Sequence, residues 1–390
     1  MRADALAHLR MGAGFSDRMG LPHFNALDRL SAGIVSFECG EHETGQHHVQ
    51  AGRALGALTG NAMIGWMADL LEAYMRLQLG EEATPLIQAG MAAGQKHGYR
   101  HFFFWPRAAM AVVCLKALEL GIQPEYVNEL IEKGRLAPPP EAAESDRWPW
   151  PVKVSTLGTF AVVVRGTLVS FKGKAQRAPL NLLKALIAFG GHAVAESRVI
   201  DALWPDSDGG AGEQSLATTL FRLRKLVGTE VVKRQDGQLS IVSTECWVDC
   251  WALKRLLESV VEDGGRLVER VKSIYAGPFL QGEDDAPWAL QLRERLHVAL
   301  VKKLSMAAAD ALAHDRIELA HDIFAAGLEI DDLVEEFYRG QIQCHIAADQ
   351  PSLAVSTYRR CQRTLSNRLG VEPSQATTRL YLSAIRNSEE

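Results

Sequence analysis

Apolar residues recur with helical spacing over the first 135 positions of the chain. The clearest case is the segment 61–79, in which six apolar side chains lie on or near one stripe: Ile64, Met67, Leu71, Tyr74, Met75 and Leu79. Further helices are predicted over 83–94, 106–120 and 123–133. Short turns with glycine separate these segments, as in LQLGEEATPLIQAGMAAG. We therefore expect residues 1–136 to form a helical-repeat domain.

The helical period stops at residues 137–151, APPPEAAESDRWPWP. Three consecutive prolines and two more beside tryptophans disfavour helix and favour extended backbone, which predicts a linker. From Val152 onward, VKVSTLGTF and AVVVRGTLVSF are rich in β-branched residues, which predicts strands with a hairpin turn at Arg165 and Gly166.

Three helices are predicted next, over 176–189, 196–204 and 212–228, and a loop of Asp, Ser and Gly at 206–212 precedes the third. The sequence VVKRQDGQLSIV then predicts two short strands joined at Asp236 and Gly237, a strong hairpin signal. Strands, three helices and a terminal hairpin in this order predict a winged helix-turn-helix over residues 152–245.

The third helix of this module has two chemically different faces. Apolar residues form one stripe: Leu216, Leu220, Leu223 and Val227. The other face carries residues that can hydrogen-bond or contact phosphate: Gln214, Thr218, Thr219, Arg222 and Lys225. Taken alone, this is an amphipathic helix, and such helices usually carry charge only to remain hydrated.

Residues 246–390 return to a helical pattern, with helices predicted over 251–261, 288–314, 317–328, 333–347, 352–369 and 374–385. Pairs of helices separated by short polar turns, as in ALAHDRIELAHDIFAAGLEID, are typical of tetratricopeptide-like (TPR-like) repeats. The predicted fold is therefore a mainly α multidomain protein, in which TPR-like helices flank a winged helix-turn-helix with small β-sheets.

The distribution of charge indicates that any nucleic-acid-binding site must be confined to one part of the chain. The whole chain has a net charge of −5, whereas residues 151–245 hold 12 Lys and Arg against 8 Asp and Glu, a net charge of +4. A basic module within an acidic chain is what a phosphate-binding site requires. The excess is modest, so we expect a homodimer or partner contacts on DNA.

Major-groove recognition places polar side chains of a helix against base edges, and Arg on guanine is the commonest specific contact. We expect Thr218, Thr219 and Arg222 to contact bases and Lys225 to contact phosphate. Arg224 lies off this face and is a weaker candidate. In the predicted wing, Lys233 and Arg234 could contact the DNA backbone, although solubilising charge is the alternative.

Basic residues before the first helix of the module could add phosphate contacts near its N-terminus, and a polar loop is the alternative. These residues are Lys172, Lys174 and Arg177.

Other chemistries find little support in the sequence. Cys39 with His42, His47 and His48 could hold zinc, but no second Cys pair completes the set, and a surface turn explains them better. Cys246 and Cys250 fit packed thiols better than a redox pair. The aromatic run 101–105 could line a ligand pocket, although a packed interface is the more usual role.

No Ser-His-Asp set, paired-carboxylate motif or GxxxxGK[ST] loop occurs, so we expect neither an enzyme nor a bound cofactor. Without a signal peptide pattern or a long apolar run, we expect a cytoplasmic protein that does not enter membranes.

Several sequence blocks, in the expected order, carry a family resemblance over about residues 149–386. VSTLGTFAVVVRG, KAQRAPLNLLKALIAFGGHAV, DALWPD and LFRLRKLVG resemble the OmpR/PhoB-type winged helix of antibiotic-regulatory (SARP) activators. WVDCWALKRLL, YAGPFL, PWALQLRERL, LEIDDLVEEFYRGQI and RLGVEPSQATTRLY resemble the bacterial transcriptional activator domain of that family. Residues 1–135 look like the helical-repeat segment of maltose-activator-type regulators.

The resemblance implies a sequence-specific transcription activator that binds double-stranded promoter DNA. It also implies that the loop 206–212 could contact RNA polymerase, while a flexible acidic connector is the open alternative. The competing hypothesis is a helical-repeat scaffold whose winged helix binds protein instead of DNA.

Overall fold

The computed structural model describes residues 21–101, 106–170, 177–260, 263–283 and 286–386. The chain divides into two compact units, Met1–Pro149 and Trp150–Glu390. The predicted mainly helical fold with small sheets is confirmed. Among the described residues, none of the helices has the length and apolar character needed to cross a membrane.

The described part of the first unit is helical, and each helix packs against the next one in the sequence. The helices are α1 (Pro22–Glu38), α2 (His42–Leu58), α3 (Ala62–Gln78), α4 (Thr84–His97), α5 (Arg107–Glu119) and α6 (Pro124–Gly134). The helix predicted over 61–79 is confirmed, and its start has a clear cause. The Asn61 side chain accepts hydrogen bonds from the backbone amides of Met63 and Ile64, which caps α3.

Residues 137–151 contain a short 3-10 turn, Pro140–Glu144, within the predicted linker. Trp148 and Trp150 are both buried, so this segment packs against protein although its prolines exclude a regular helix.

Two small sheets form in the second unit. The strands are β1 (Val152–Ser155), β2 (Ala161–Val164), β3 (Thr167–Leu168), β4 (Val194–Ala195), β5 (Val232–Gln235), β6 (Gln238–Ile241) and β7 (Cys246–Val248). One sheet has the order β3-β2-β1-β7, with β1 antiparallel to β2 and parallel to β7. The other is antiparallel with the order β4-β6-β5. Both predicted hairpin turns are confirmed, since Arg165, Gly166, Asp236 and Gly237 all have positive φ.

Three helices lie between β3 and β5 in the sequence, and β4 separates the first of them from the second: α7 (Arg177–Ala188), α8 (Glu196–Leu203) and α9 (Gly209–Val227). The prediction for the start of α9 is wrong, because the helix begins at Gly209 within the predicted loop 206–212. A Cβ atom on Gly212 would lie 2.6 Å from Ile200 Cγ2, so glycine allows this end of α9 to approach α8 closely. Packing against α8 therefore overrides the low helix propensity of the glycines.

The remaining helices are α10 (Asp249–Glu258), α11 (Gly264–Ile274), α12 (Pro287–Ala313), α13 (Ile317–Ile330), α14 (Glu335–Ala347), α15 (Pro351–Leu369) and α16 (Gln375–Arg386). From α12 onward, each helix packs against the next. Helix α11 is absent from the sequence-based prediction. It begins after Asp263, whose carboxylate accepts a hydrogen bond from the Gly265 amide, and it buries Leu267 and Val271.

Helices α13 and α14 approach each other through a reciprocal pair of glycines. A Cβ atom on Gly327 of α13 would lie 2.7 Å from the Phe337 ring of α14. A Cβ atom on Gly340 of α14 would overlap the Phe324 ring of α13. Each ring therefore occupies the space that the facing glycine leaves open, which fixes how these two helices stack.

The three-helix module and the C-terminal helices share one hydrophobic core, which runs from Val152 to Leu365. Strand β7 lies just beyond residue 245 and pairs with β1, so the first sheet uses residues on both sides of that predicted boundary. The buried Asp249 carboxylate, at the start of α10, accepts hydrogen bonds from the amides of Thr156, Leu157 and Cys250 and from the Thr156 hydroxyl. Burial raises the pKa of this carboxyl, and the four donors oppose that rise.

Candidate nucleic-acid interface

Helix α9 separates into a buried stripe and an exposed face. The predicted inward residues are all buried, with exposures of 0% for Leu216, 3% for Leu220, 0% for Leu223 and 3% for Val227. Exposed residues cover the opposite side: Gln214, Thr218, Phe221, Arg222 and Lys225. We call these five residues the α9 face.

Thr219 differs from the other predicted base contacts because its side chain is only 6% exposed. It follows Thr218 by one residue, a rotation of about 100° around the helix, which turns it from the α9 face toward the buried stripe. Its methyl and hydroxyl groups therefore lie within the module and not on the surface that DNA could reach.

Arg222 and Lys225 are exposed on the α9 face, and in the described part of the chain neither makes a hydrogen bond or an ion pair with another residue. Several other cations of the module interact with other side chains of the second unit. Lys184 is buried, forms an ion pair with Glu283 at 2.5 Å and lies over the Phe160 ring. The guanidinium of Arg198 lies 4.1 Å from the centre of the Phe189 ring. Arg222 and Lys225 therefore remain available for an external anion.

Arg224 lies between the buried stripe and the surface, and its role is internal. Its Nε donates a hydrogen bond of 3.0 Å to the Val232 carbonyl oxygen at the start of β5. The side chain thus connects the C-terminal turn of α9 to the hairpin that follows.

We expect Arg224→Ala to lower the free energy of unfolding by about 1 kcal/mol, the usual net contribution of one such hydrogen bond. The variant should keep the sequence preference of the chain, because its guanidinium points to the hairpin. Urea denaturation and duplex-binding assays on the same preparation check both parts. A changed base preference with unchanged stability would place Arg224 on the interface instead.

The β5–β6 hairpin is joined to the first residue of α8, Glu196, through both the side chain and the backbone of that residue. The Arg234 guanidinium makes two hydrogen bonds with the Glu196 carboxylate, at 2.6 and 2.7 Å, and these bonds raise the pKa of Arg234. The Glu196 amide donates a hydrogen bond to the Gly237 carbonyl at the hairpin turn. Arg234 is therefore engaged in an ion pair at the surface of the module, where its side chain is 42% exposed.

Lys233 pairs across the hairpin with Ser240, whereas Arg234 pairs with Leu239. Successive residues of a strand point to opposite faces, so Lys233 points away from the Arg234–Glu196 pair. Lys233 is exposed, and it is the predicted wing cation that remains available for a phosphate.

The basic segment before α7 is described only in part. Arg177 is the first residue of α7 and is exposed. Lys172 and Lys174 lie outside the described residues, so the phosphate contact expected of Lys174 stays a prediction.

The alternative chemistries receive no support from the geometry. Cys246 and Cys250 are buried free thiols, and burial raises the pKa of Cys246 to about 12. The described residues contain no group of three or more His, Cys, Asp or Glu placed to hold a metal ion. Four residues of the aromatic run 101–105, namely 102–105, lie outside the described residues.

Sequence reasoning missed Phe221, which is 71% exposed on the α9 face. Its spacing could have revealed it, because Phe221 lies three residues after Thr218 and four before Lys225, and residues at these separations share one face of a helix.

Comparisons with known proteins identify one domain. Residues 252–386 match the family model described as bacterial transcriptional activator domain. No curated protein sequence matches the chain significantly.

Among solved structures, the chain is similar to Mycobacterium tuberculosis EmbR in complex with a low-affinity phosphopeptide, with a TM-score of 0.44 and 19% sequence identity. That match covers 60% of this chain and 65% of the EmbR chain, which is less than two thirds of its length.

The matched family segment begins within α10 and ends at the last residue of α16, so it contains the stacked helices that share a core with α9. The C-terminal helical part of the second unit, over residues 252–386, is therefore similar to a bacterial transcriptional activator domain.

Proposed function

We propose that this protein is a transcription activator of the SARP type that binds promoter DNA through a winged helix. In this proposal α7, α8 and α9 form the helical part, α9 is the recognition helix and the β5–β6 hairpin is the wing. The observation that carries the proposal is that some cations of the module have partners and others do not. Within the described residues, Arg222, Lys225 and Lys233 are exposed without partners. Lys184, Arg224 and Arg234 each interact with another residue of the chain.

Each exposed residue has a role that fits its chemistry. The major groove admits an α-helix, and a guanidinium can bind O6 and N7 of guanine together, so Arg222 is proposed to read guanine. Thr218, one turn earlier on the α9 face, can hydrogen-bond to a neighbouring base edge. The ammonium groups of Lys225 and Lys233 neutralise phosphates and fix the register of the helix on the duplex. Thr219 has no contact in this proposal, because it is buried.

Within the described residues, a single copy presents few cations without partners, so tight specific binding requires more than one copy. Specific protein–DNA interfaces bury more surface than one small module usually supplies. We propose that two copies bind repeated half-sites, with the helices of residues 252–386 providing assembly or partner contacts. The exposed Asp206 and Asp208, in the turn before α9, are the proposed contact with RNA polymerase.

The salt dependence of duplex binding tests the proposal. A dimer that places Arg177, Lys225 and Lys233 of each copy on phosphates should show log K falling against log [salt] with a slope of about −5. Lys233→Ala should weaken binding to all sequences alike and make that slope shallower by about 1 per bound copy. Fluorescence anisotropy between 50 and 200 mM KCl measures both quantities.

Lys254→Ala is the matched control, because Lys254 is an exposed lysine of α10, outside the proposed winged helix. This control should leave the slope unchanged. Absence of duplex binding at low salt, or a slope near zero, would reject DNA binding and favour the protein-binding scaffold.

A further inference from the structure

Phe221 is an apolar side chain on a face that is otherwise polar or cationic. Its ring is 71% exposed, while its sequence neighbours on the buried side, Leu220 and Leu223, are 3% and 0% exposed. Helical spacing places it beside Thr218 and Lys225, and Arg222 is the next residue in the chain. The ring thus lies on the α9 face, next to Thr218 and Lys225.

The packing of the module does not explain this phenylalanine. Other phenylalanines of the second unit fill its core, with Phe279 at 1%, Phe324 at 5% and Phe337 at 0% exposure. Isolated exposed apolar residues are common on protein surfaces, so exposure alone says little. The position of Phe221 is the informative observation, because a phenyl ring between Thr218 and Lys225 contributes neither to solubility nor to phosphate binding.

We propose that Phe221 is a specificity-determining residue that contacts the 5-methyl group of a thymine in the major groove, next to the base read by Arg222. This inference rests on the proposed function, in which α9 enters the major groove. The thymine methyl is the apolar group that base pairs present in that groove, and phenylalanine is one of the side chains suited to contact it.

The charges around the ring favour DNA over an apolar protein surface as its partner. Arg222 and Lys225 lie near Phe221 on the same helix, and the five residues of the α9 face include no acidic side chain. An apolar protein surface would have to remove water from both cations without neutralising them, which is unfavourable. A duplex supplies phosphates for the cations and a methyl group for the ring within one contact.

Replacement of thymine by deoxyuridine tests the inference, because it removes the methyl group and keeps the Watson–Crick edge. The full chain first selects its preferred site from a pool of random duplexes. Each thymine of that site is then replaced singly by deoxyuridine, and affinities are measured for the wild-type chain, Phe221→Ala and Phe221→Leu.

We expect one position per half-site at which the loss of the methyl weakens wild-type binding by about fourfold, the effect of burying one such group. The same replacement should have no effect on Phe221→Ala and a smaller effect on Phe221→Leu. Val298→Ala is the matched control, since Val298 is 64% exposed on α12 and should retain the wild-type response. Circular dichroism confirms that the variants are folded.

Two results would overturn the inference, and only the second would also reject the proposed function. If every deoxyuridine replacement affects the wild-type chain and Phe221→Ala equally while both bind the selected duplex, Phe221 does not read a methyl, and the proposed function survives. If the wild-type chain selects no duplex at low salt, the proposed function and this inference fail together.

Discussion

Asp249→Asn should lower the free energy of unfolding of the second unit by about 2–4 kcal/mol, because the loss of buried hydrogen bonds to a charged group carries a cost of this size. The carboxylate accepts four hydrogen bonds, of which two come from the backbone amides of Thr156 and Leu157, directly after β1. An asparagine oxygen can replace one carboxylate oxygen, but its NH₂ group is a donor and faces donors. At least one buried amide is then left without an acceptor.

A urea titration of the full chain, with hydrogen exchange of peptides from β1 as the readout, measures this effect. Because the peptides come from β1, the measurement reports unfolding of the second unit separately from that of the first. Asp206→Asn provides the control, since Asp206 is exposed and should change stability by less than about 0.5 kcal/mol. Equal stability of the two variants would mean that Asp249 does not join the winged helix to the helices that follow it.

Arg222→Ala should weaken binding to the selected promoter site by about 1–3 kcal/mol, which is up to about 150-fold, and should relax the preference at one base position. The guanidinium is exposed on the α9 face, so its removal should leave stability unchanged. Binding isotherms on the selected site and on each single-base variant measure both effects.

Arg224→Ala serves as the matched control for Arg222→Ala, because it removes the same guanidinium two residues along the helix. Its Nε binds the Val232 carbonyl, so the cost should appear in stability and not in base preference. An Arg222→Ala variant with unchanged affinity and unchanged preference would show that α9 does not place this residue in the groove.

The sequence predicted well those helices in which a stripe of buried apolar residues extends over several turns. The stripe of α9, from Leu216 to Val227, is inward in the structure as expected. Hairpins at Arg165 and Gly166 and at Asp236 and Gly237 were also predictable, because their turn chemistry demands positive φ. In these cases local chemistry alone decides the structure.

Other features depend on partners that are distant in the sequence. Helix α9 begins at Gly209, and Gly212 in its first turn packs closely against Ile200 of α8, whereas the pattern of glycines alone favoured a loop. Asp249 binds residues 93 positions earlier in the chain, and no spacing rule connects them. The shared core across residue 245 likewise follows from the pairing of β7 with β1.

Within the candidate interface, the sequence identified the cationic residues, but it did not show which of them already interact with other residues of the chain. Arg222 and Arg234 were both predicted to contact DNA, yet Arg234 forms an ion pair with Glu196. Arg224, the weaker candidate, binds the Val232 carbonyl. Helical rotation placed Arg224 off the α9 face correctly. The burial of Thr219, by contrast, depends on how closely α9 packs in the module.

Methylation interference at guanine N7 tests the central claim most directly, because N7 lies in the major groove where Arg222 is proposed to bind. In the wild-type chain, methylation of one guanine per half-site should block binding. In Arg222→Ala, interference at that guanine should disappear while the remaining pattern persists. If wild-type binding tolerates methylation at every guanine N7, or if Arg222→Ala keeps the full wild-type pattern, then Arg222 of α9 does not read guanine in the major groove.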